Sequence, residues 1–395
     1  MSKKLKEHRH AATEAEVPEG APGEAPEPPP GATATRGGLS PLPQSSTRAH
    51  GVRHLRNVSR PGGSSGPVAG RGRVDTDPAT AFASFDEPAR DGRVFVFPGQ
   101  GAQYVGMGKD LYEAYPAARE VFDRADEILG LKLSKICFQG PEEELQQTKN
   151  TQPAIAVTSL ALLKVAMQES PSLAPRPGYM AGHSLGEYAA LVAAGSLSFD
   201  DAVRLLRTRG ELMQSAGEQN PGTMAAILGL DAVDCEEVCR ESGAELCNLN
   251  APGQVVIGGA KGAVVRALDY AKARGATKVI PLSVSGAFHS SLMKPAADGM
   301  VQPVATAAIG DPVTPIIANC SAEPITEENS IRHELVDQVC KPVQWSQTVE
   351  YLGKQGANTF IEFGPGRVLT GIIKRMLRKS TCINVNDAAS VRVEL

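Results

Sequence analysis

The stretch "GYMAGHSLGEYAALVAAG" (178–195) constrains the fold more than any other part of the chain. An apolar, strand-like run ends in Gly-x-Ser-x-Gly and passes directly into a helix-like run rich in Ala and Leu. In that context the five-residue pattern reads as a nucleophile elbow. Gly182 and Gly186 permit a sharp turn with close strand–helix packing. The turn lifts the Ser184 hydroxyl out of the sheet, over a helix N-terminus whose free N–H groups favour negative charge. A chain built around such a turn needs a parallel sheet flanked by helices.

The rest of the sequence fits that frame from about residue 91 onward. "RVFVFPGQGAQ" (93–103) holds a continuous apolar run at Val94–Phe97, as expected of a strand buried on both faces, and closes in a Pro-Gly turn. Helical periodicity runs over 109–129, 152–168 and 200–216. Between about 222 and 285 the pattern changes. "TMAAILGL", "DAVDCEEVCRES", "ELCNLN", "QVVIGG", "KGAVVRALDYAKARG" and "KVIPLSVS" read in order as β-α-β-β-α-β, the split arrangement of a ferredoxin-like unit. The α/β pattern then resumes with "TPIIANCSA", "QVCKPVQWSQTVEYL" and "TFIEFGPG". We therefore expect an inserted small subdomain at about 218–285, within a body over 91–395 whose larger part covers about 91–217 and 286–395.

Residues 1–90 differ in kind. Six glutamates fall within 1–30, and the segment 28–74 has seven arginines and no acid among many Ser, Gly and Pro. Such a stretch buries too little apolar surface to offset its ordering entropy, so a disordered arm is expected. Its arginine-rich half resembles an organelle transit peptide and its acidic start does not, so a protein of the bacterial cytoplasm is expected, the alternative being a plastid or mitochondrion if the arm is a transit peptide. It has no apolar core of a secretory signal, and no run in the chain approaches the roughly 18 apolar residues of a membrane span. A net charge of −4 gives no reason to expect nucleic acid. The seven cysteines are scattered, without a C-x-x-C pair, and imply a reducing compartment and no metal site.

A serine nucleophile needs a base within hydrogen-bond reach. His183 is adjacent to Ser184, so the two side chains diverge and His183 is expected to brace the elbow. Four of the other histidines lie in the arm and His333 in a polar helix start. His289, in "SVSGAFHSSLM" just past a strand end, is the candidate base. No Asp stands out to orient it, so a carbonyl must serve, with Gln344 and Asn319 as candidates. Acyl transfer also needs an oxyanion hole. The Leu185 N–H, next after the nucleophile, is one donor, and the Gln100 N–H in the glycine-rich "FPGQGAQ" loop suits as the second. Arg209 closes an otherwise apolar helix, whereas Arg204 and Arg207 read as surface charges. An arginine inside such a site would hold a carboxylate through its planar fork and select an acyl group carrying its own acid.

"FPGQGAQ", "TQPA", "GHSLGEYAALVAAG", "RGELM", "NAPGQVVIGG", "VSGAFHSSLM", "PVQW" and "EFGPGRVL" occur in this order over roughly 93–385. Together they resemble the malonyl-CoA:acyl carrier protein transacylase family of fatty-acid synthesis. The resemblance implies an α/β-hydrolase-like large subdomain with an inserted ferredoxin-like small subdomain. It places the catalytic serine and histidine on Ser184 and His289, the malonyl-binding arginine on Arg209, and oxyanion donors on Gln100 and Leu185. Gln152 and Asn250 match positions lining the site, Gln344 matches the residue that orients the histidine, and Phe288 implies malonyl rather than methylmalonyl. Malonyl-CoA and holo acyl carrier protein are the implied substrates, with no metal or cofactor, and a monomer is expected. Two rivals share parts of the pattern. A serine hydrolase of the esterase class has the elbow but no use for Arg209, and a non-catalytic carrier-protein-binding module has no use for Ser184, His289 and Arg209 together.

Overall fold

The computed structural model describes Phe85 and residues 87–395; the arm expected over 1–90 lies almost entirely outside the described residues. β1 spans Glu87–Phe97 and so begins before the apolar run at Val94. Helices α1 (Lys109–Ala114) and α2 (Pro116–Leu129) replace the single helix expected over 109–129. The break is at Tyr115, which is extended, because Pro116 starts a new helix at a position where its missing N–H costs nothing. Short helices α3 (Leu133–Gln139) and α4 (Glu142–Leu145) lead into α5 (Thr148–Glu169). α5 begins four residues before its expected start and carries Pro153 inside it. The Lys149 carbonyl that Pro153 cannot serve accepts from Arg207 Nη1 at 3.4 Å. Then come β2 (Pro175–Gly182), α6 (Gly186–Ala193) and α7 (Phe199–Gln219).

The next six elements are β3 (Gly222–Leu228), α8 (Ala232–Ser242), β4 (Glu245–Ala251), β5 (Gln254–Ala260), α9 (Lys261–Ala273) and β6 (Lys278–Leu282). They form a four-stranded antiparallel sheet in the order β4-β5-β3-β6. Asp231 caps α8 by accepting the Asp234 N–H at 2.8 Å. Ala225, Ile227, Val255 and Ile257 of the sheet pack against Val238, Cys239, Val264 and Ala267 of the two helices, giving this unit its own core.

The chain returns through α10 (Lys294–Thr306), β7 (Ile316–Ile317), β8 (Pro324–Ile325), α11 (Glu328–Asp337), α12 (Trp345–Lys354), β9 (Thr359–Phe363), α13 (Val368–Met376) and β10 (Thr381–Val385). The larger sheet runs β10-β9-β1-β2-β7-β8, parallel except for the β7–β8 pair. Within "TPIIANCSA" only two residues form a strand, because the chain leaves the sheet at Ala318 to carry Asn319 toward the elbow. Phe95 and Phe97 point into one core and Val94 and Val96 into another on the opposite face, all essentially buried. Central β1 and β2 end side by side, with Phe97 paired to Gly182. Their C-terminal ends are where a parallel α/β sheet presents a ligand site. Among the described residues no helix is long and apolar enough to cross a membrane, and no cluster of His, Cys, Asp and Glu could hold a metal.

Candidate functional site

Ser184 sits between β2 and α6 with φ of 52°, a left-handed conformation that only a tightly held non-glycine residue keeps. The two glycines make the turn possible by close approach. A Cβ on Gly182 would stand 2.0 Å from the Gly186 carbonyl carbon, and one on Gly186 would stand 2.3 Å from the Phe97 carbonyl oxygen. The loop after β1 comes equally close, since a Cβ on Gly99 would lie 2.6 Å from the His183 oxygen. The His183 N–H donates to the Phe97 carbonyl at 3.0 Å, locking the two strand ends together.

Ser184 Oγ lies 2.8 Å from His289 Nε2. His289 Nδ1 lies 2.7 Å from the Gln338 backbone oxygen, which can only accept. The ring proton is therefore on Nδ1, and Nε2 is free to receive the serine proton. Burial, then the neighbouring Arg209 cation, pushes the His289 pKa down to about 3. The imidazole is thus neutral and able to act as a base. His183 turns elsewhere: its Nε2 meets Asn250 Oδ1 at 2.9 Å and its ring lies 5.6 Å from that of Trp345.

Arg209 comes from α7 and is 1 % exposed. Its Nη1 donates to Gln152 Oε1 at 2.6 Å, and its Nη2 donates to Gln338 Oε1 at 2.8 Å and to Ser184 Oγ at 3.1 Å. Its plane stands 5.9 Å over the Tyr188 ring. Among the described residues it has no ion pair, and its Nε has no partner at all. A buried guanidinium held only by neutral groups is expensive unless a ligand supplies the anion.

A cavity of about 110 Å³ opens over these groups. Gln100, Gln152, Leu185 and Phe288 line it, as do Met213 and Met224. Among the described residues the Leu185 and Gln100 backbone N–H groups have no acceptor, and the Gly101 N–H is taken up by Gln103 Oε1 at 2.7 Å. The walls come from both sheets: Ser184 and Leu185 follow β2, while Met224, Asn248 and Leu282 belong to β3, β4 and β6.

Three sequence expectations need correction. Gln344 does not orient His289: it precedes α12, where its N–H donates to the Asn319 oxygen at 2.8 Å. Asn319 does not orient it either. Its Oδ1 accepts the Ser184 N–H and its Nδ2 donates to the Gly182 oxygen, each at 2.8 Å, so it holds the elbow. Asn250 is occupied by His183, and Asn248 lines the cavity in its place, because the β4–β5 register is broken between Leu249 and Ala251, so Asn250 sits in a bulge and does not share the face of Asn248. The residue that orients the histidine is Gln338, at the end of α11. Sequence reasoning missed it because the atom concerned is a main-chain oxygen, which residue type does not reveal. It also passed over Glu187, fully buried in α6, for which a signal existed: a lone acid at the head of an otherwise apolar helix. Burial and the neighbouring Glu334 push the Glu187 pKa well above the usual carboxylate range.

Comparison with known proteins adds to this geometry. Residues 94–393 match the model of the acyl transferase domain family. The malonyl CoA-acyl carrier protein transacylase of Bacillus subtilis (strain 168) is 46 % identical over 306 residues, covering 76 % of this chain and 95 % of the relative. The one of Escherichia coli (strain K12) is 45 % identical over 305 residues, covering 76 % and 98 %. Among solved structures, the acyl-carrier-protein-S-malonyltransferase of Bartonella henselae superposes with a TM-score of 0.73 at 42 % identity, over 76 % of this chain and 97 % of that one. A malonyl-transacylase in complex with its type II PKS acyl-carrier protein gives 0.73 at 43 % identity, over 76 % and 97 %.

Proposed function

The chain belongs to the acyl transferase domain family and, within it, to the malonyl CoA-acyl carrier protein transacylases, and from that premise we propose that it moves a malonyl group from CoA to carrier protein through a malonyl-serine ester. The observation that carries the reading is the pairing of Ser184 with Arg209. A nucleophile held 3.1 Å from a buried guanidinium without a protein anion suits an acyl donor that brings its own carboxylate.

Two half-reactions share one set of groups. His289 Nε2 takes the Ser184 proton as Oγ attacks the thioester carbon, and the negative charge moves to the carbonyl oxygen. The Leu185 and Gln100 N–H groups stabilise that oxyanion; one such donor is worth about 3 kcal/mol. When the tetrahedral centre collapses, the carbon–sulfur bond breaks, His289 returns the proton to sulfur, and CoA leaves as its thiol. The phosphopantetheine thiol of holo acyl carrier protein then gives its proton to His289 and attacks the ester carbon; the carbon–oxygen bond breaks and His289 returns the proton to Oγ, regenerating Ser184. Throughout, Arg209 holds the malonyl carboxylate with its Nε–H and Nη–H groups, while Gln152 and Gln338 fix its plane. The carrier protein as partner is supported by the related transacylase solved with its own. The strand orders support a larger α/β-hydrolase-like subdomain and an inserted ferredoxin-like one, with the cavity between them limiting access of water to the ester.

Intact-mass spectrometry after mixing with malonyl-CoA or acetyl-CoA tests this. Wild type gains a malonyl adduct, Ser184→Ala gains none, and Arg209→Ala shifts preference toward acetyl. Folded wild type without an adduct from either ester would overturn the reading.

A further inference from the structure

The groups proposed to react hang on Asn319 and Gln338, and both of these hang on one buried carboxyl. Glu187 opens α6 three residues after Ser184 and is fully buried. Its Oε1 accepts the Asn319 backbone N–H at 3.1 Å, and its Oε2 accepts from Gln338 Nε2. Asn319 in turn holds the Ser184 N–H. Gln338 does three things at once. Its side-chain oxygen accepts from Arg209, its main-chain oxygen accepts from His289, and its Nε2 also reaches the Ser184 carbonyl at 3.1 Å.

We propose that Glu187 is a positioning residue of this site, which fixes the direction of the Gln338 amide and thereby presents an acceptor to Arg209. The inference rests on the acyl-transfer reading above. An amide has one donor end and one acceptor end. The acceptor oxygens of Glu187 claim the donor end, so the acceptor end is left facing the guanidinium. With the amide reversed, its NH2 would meet Arg209 donor to donor, beside a buried cation, and both would lose a partner. The arrangement also keeps charge available. Glu187 reaches Arg209 only through a neutral amide, so it orients the guanidinium without an ion pair that a ligand carboxylate would have to displace. The second buried carboxyl nearby, Glu334, accepts the Cys320 N–H at 2.9 Å and also faces the Asn319 backbone, but no side-chain bond joins it to Gln338 among the described residues.

Glu187→Gln keeps the shape but puts an NH2 group at one end, which forces a donor against Asn319 or Gln338. Single-turnover acylation by malonyl-CoA and acetyl-CoA, with thermal unfolding alongside, separates the outcomes. Folded Glu187→Gln should lose about 100-fold in malonyl rate and less in acetyl rate, so its malonyl preference falls. Glu334→Gln should keep that preference. In a Gln338→Met background, which has no amide to orient, Glu187→Gln should change the preference no further. A wild-type rate and preference in Glu187→Gln overturns the inference, as does a parallel rate loss in both carboxyl variants with the preference intact. Should Glu187→Gln not fold, Glu187→Asp keeps two acceptor oxygens and must keep the malonyl preference; its loss in folded protein also overturns the inference. Wild type that takes no malonyl group overturns the transfer reading first and the inference with it, whereas normal wild-type transfer with an unaffected Glu187→Gln overturns the inference alone.

Discussion

Ser184 and His289 meet at 2.8 Å, Oγ to Nε2, and both hold their backbone in the left-handed region, at φ 52° and 60°. Among the described residues only Ala322 shares that conformation without being glycine. Each such residue stores on the order of 1–3 kcal/mol of strain, sustained only where the surroundings over-determine it. Here the surroundings are Asn319 and Gln338, which grip the elbow, and the Gln338 carbonyl, which grips the imidazole. Strain at both partners of one hydrogen bond places it at the centre of the site, not at an incidental turn.

That strain is measurable at Ser184. Both Ser184→Ala and Ser184→Gly should be inactive, but only glycine is relieved of the Cβ clash at positive φ. Ser184→Gly should therefore be the more stable of the two by about 1 kcal/mol, read from denaturant midpoints. Equal midpoints would mean that the turn is unstrained.

The depressed pKa of His289 has a consequence for stability. The folded value is about 3, against 6.5 for the unstructured group. Below pH 6.5 the unfolded chain takes up a proton that the native site refuses, so stability is present in full above that value and is lost as pH falls toward 3. His183 is depressed by burial and acts in the same sense. Replacing His289 by Gln removes one of these titrations. The thermal midpoint of the variant relative to wild type should rise as pH drops from 7.5 to 4.5, and curves that stay parallel would contradict the buried, neutral imidazole.

Gln338 and Gln344 make a direct contrast. Gln338→Ala keeps the main-chain oxygen that orients His289 but loses the contact to Arg209 at 2.8 Å. The KM for malonyl-CoA should rise about tenfold, the cost of one charge-assisted hydrogen bond. Gln344→Ala should leave both kcat and KM near wild type, because the Gln344 contact to Asn319 uses its backbone N–H. The reverse pattern in steady-state kinetics would restore Gln344 as the orienting residue.

This contrast shows where a sequence is legible. The elbow could be read because strand, glycines and helix are local and each is dictated by residue type. The split β-α-β-β-α-β order was legible for the same reason, since hydrophobic periodicity switches at every element. The short β7 was not: Ile316 and Ile317 lie in a longer apolar run, and departure from the sheet is decided by what Asn319 must reach 135 residues away. Gln338 was hidden because a carbonyl has no side-chain signature, and Asn250 was misplaced because a bulge between Leu249 and Ala251 separates two asparagines that a regular strand would keep on one face. Contacts between distant segments are where local pattern stops carrying information.

The elbow glycines give a stability prediction without reference to chemistry. In Gly182→Ala the new methyl would need to occupy space 2.0 Å from Gly186 backbone, and no flexible side chain is there to give way. The variant should be destabilised by at least about 3 kcal/mol or fail to fold, judged by its urea midpoint. Gly371→Ala, whose Cβ would meet nothing within 4 Å on exposed α13, should be as stable as wild type or more so. Similar losses in both would show that the close approach at the elbow is not what requires glycine.

We propose that Phe288 sets the room available to the acyl group. It is 6 % exposed, lines a cavity of only about 110 Å³, and precedes His289 directly. A branched methyl on the middle carbon of a malonyl group needs more room than the hydrogen it replaces, and Phe288 is among the apolar residues of the lining. Phe288→Ser removes the ring and opens that wall without touching Arg209 or Ser184. The kcat/KM ratio of methylmalonyl-CoA to malonyl-CoA should rise by about 10-fold to 100-fold, the range that one pocket contact can discriminate. Competition between the two esters for the Ser184 adduct measures it directly. An unchanged ratio in folded enzyme would mean that Met213, Met224 or another cavity residue, and not Phe288, limits the size of the acyl group.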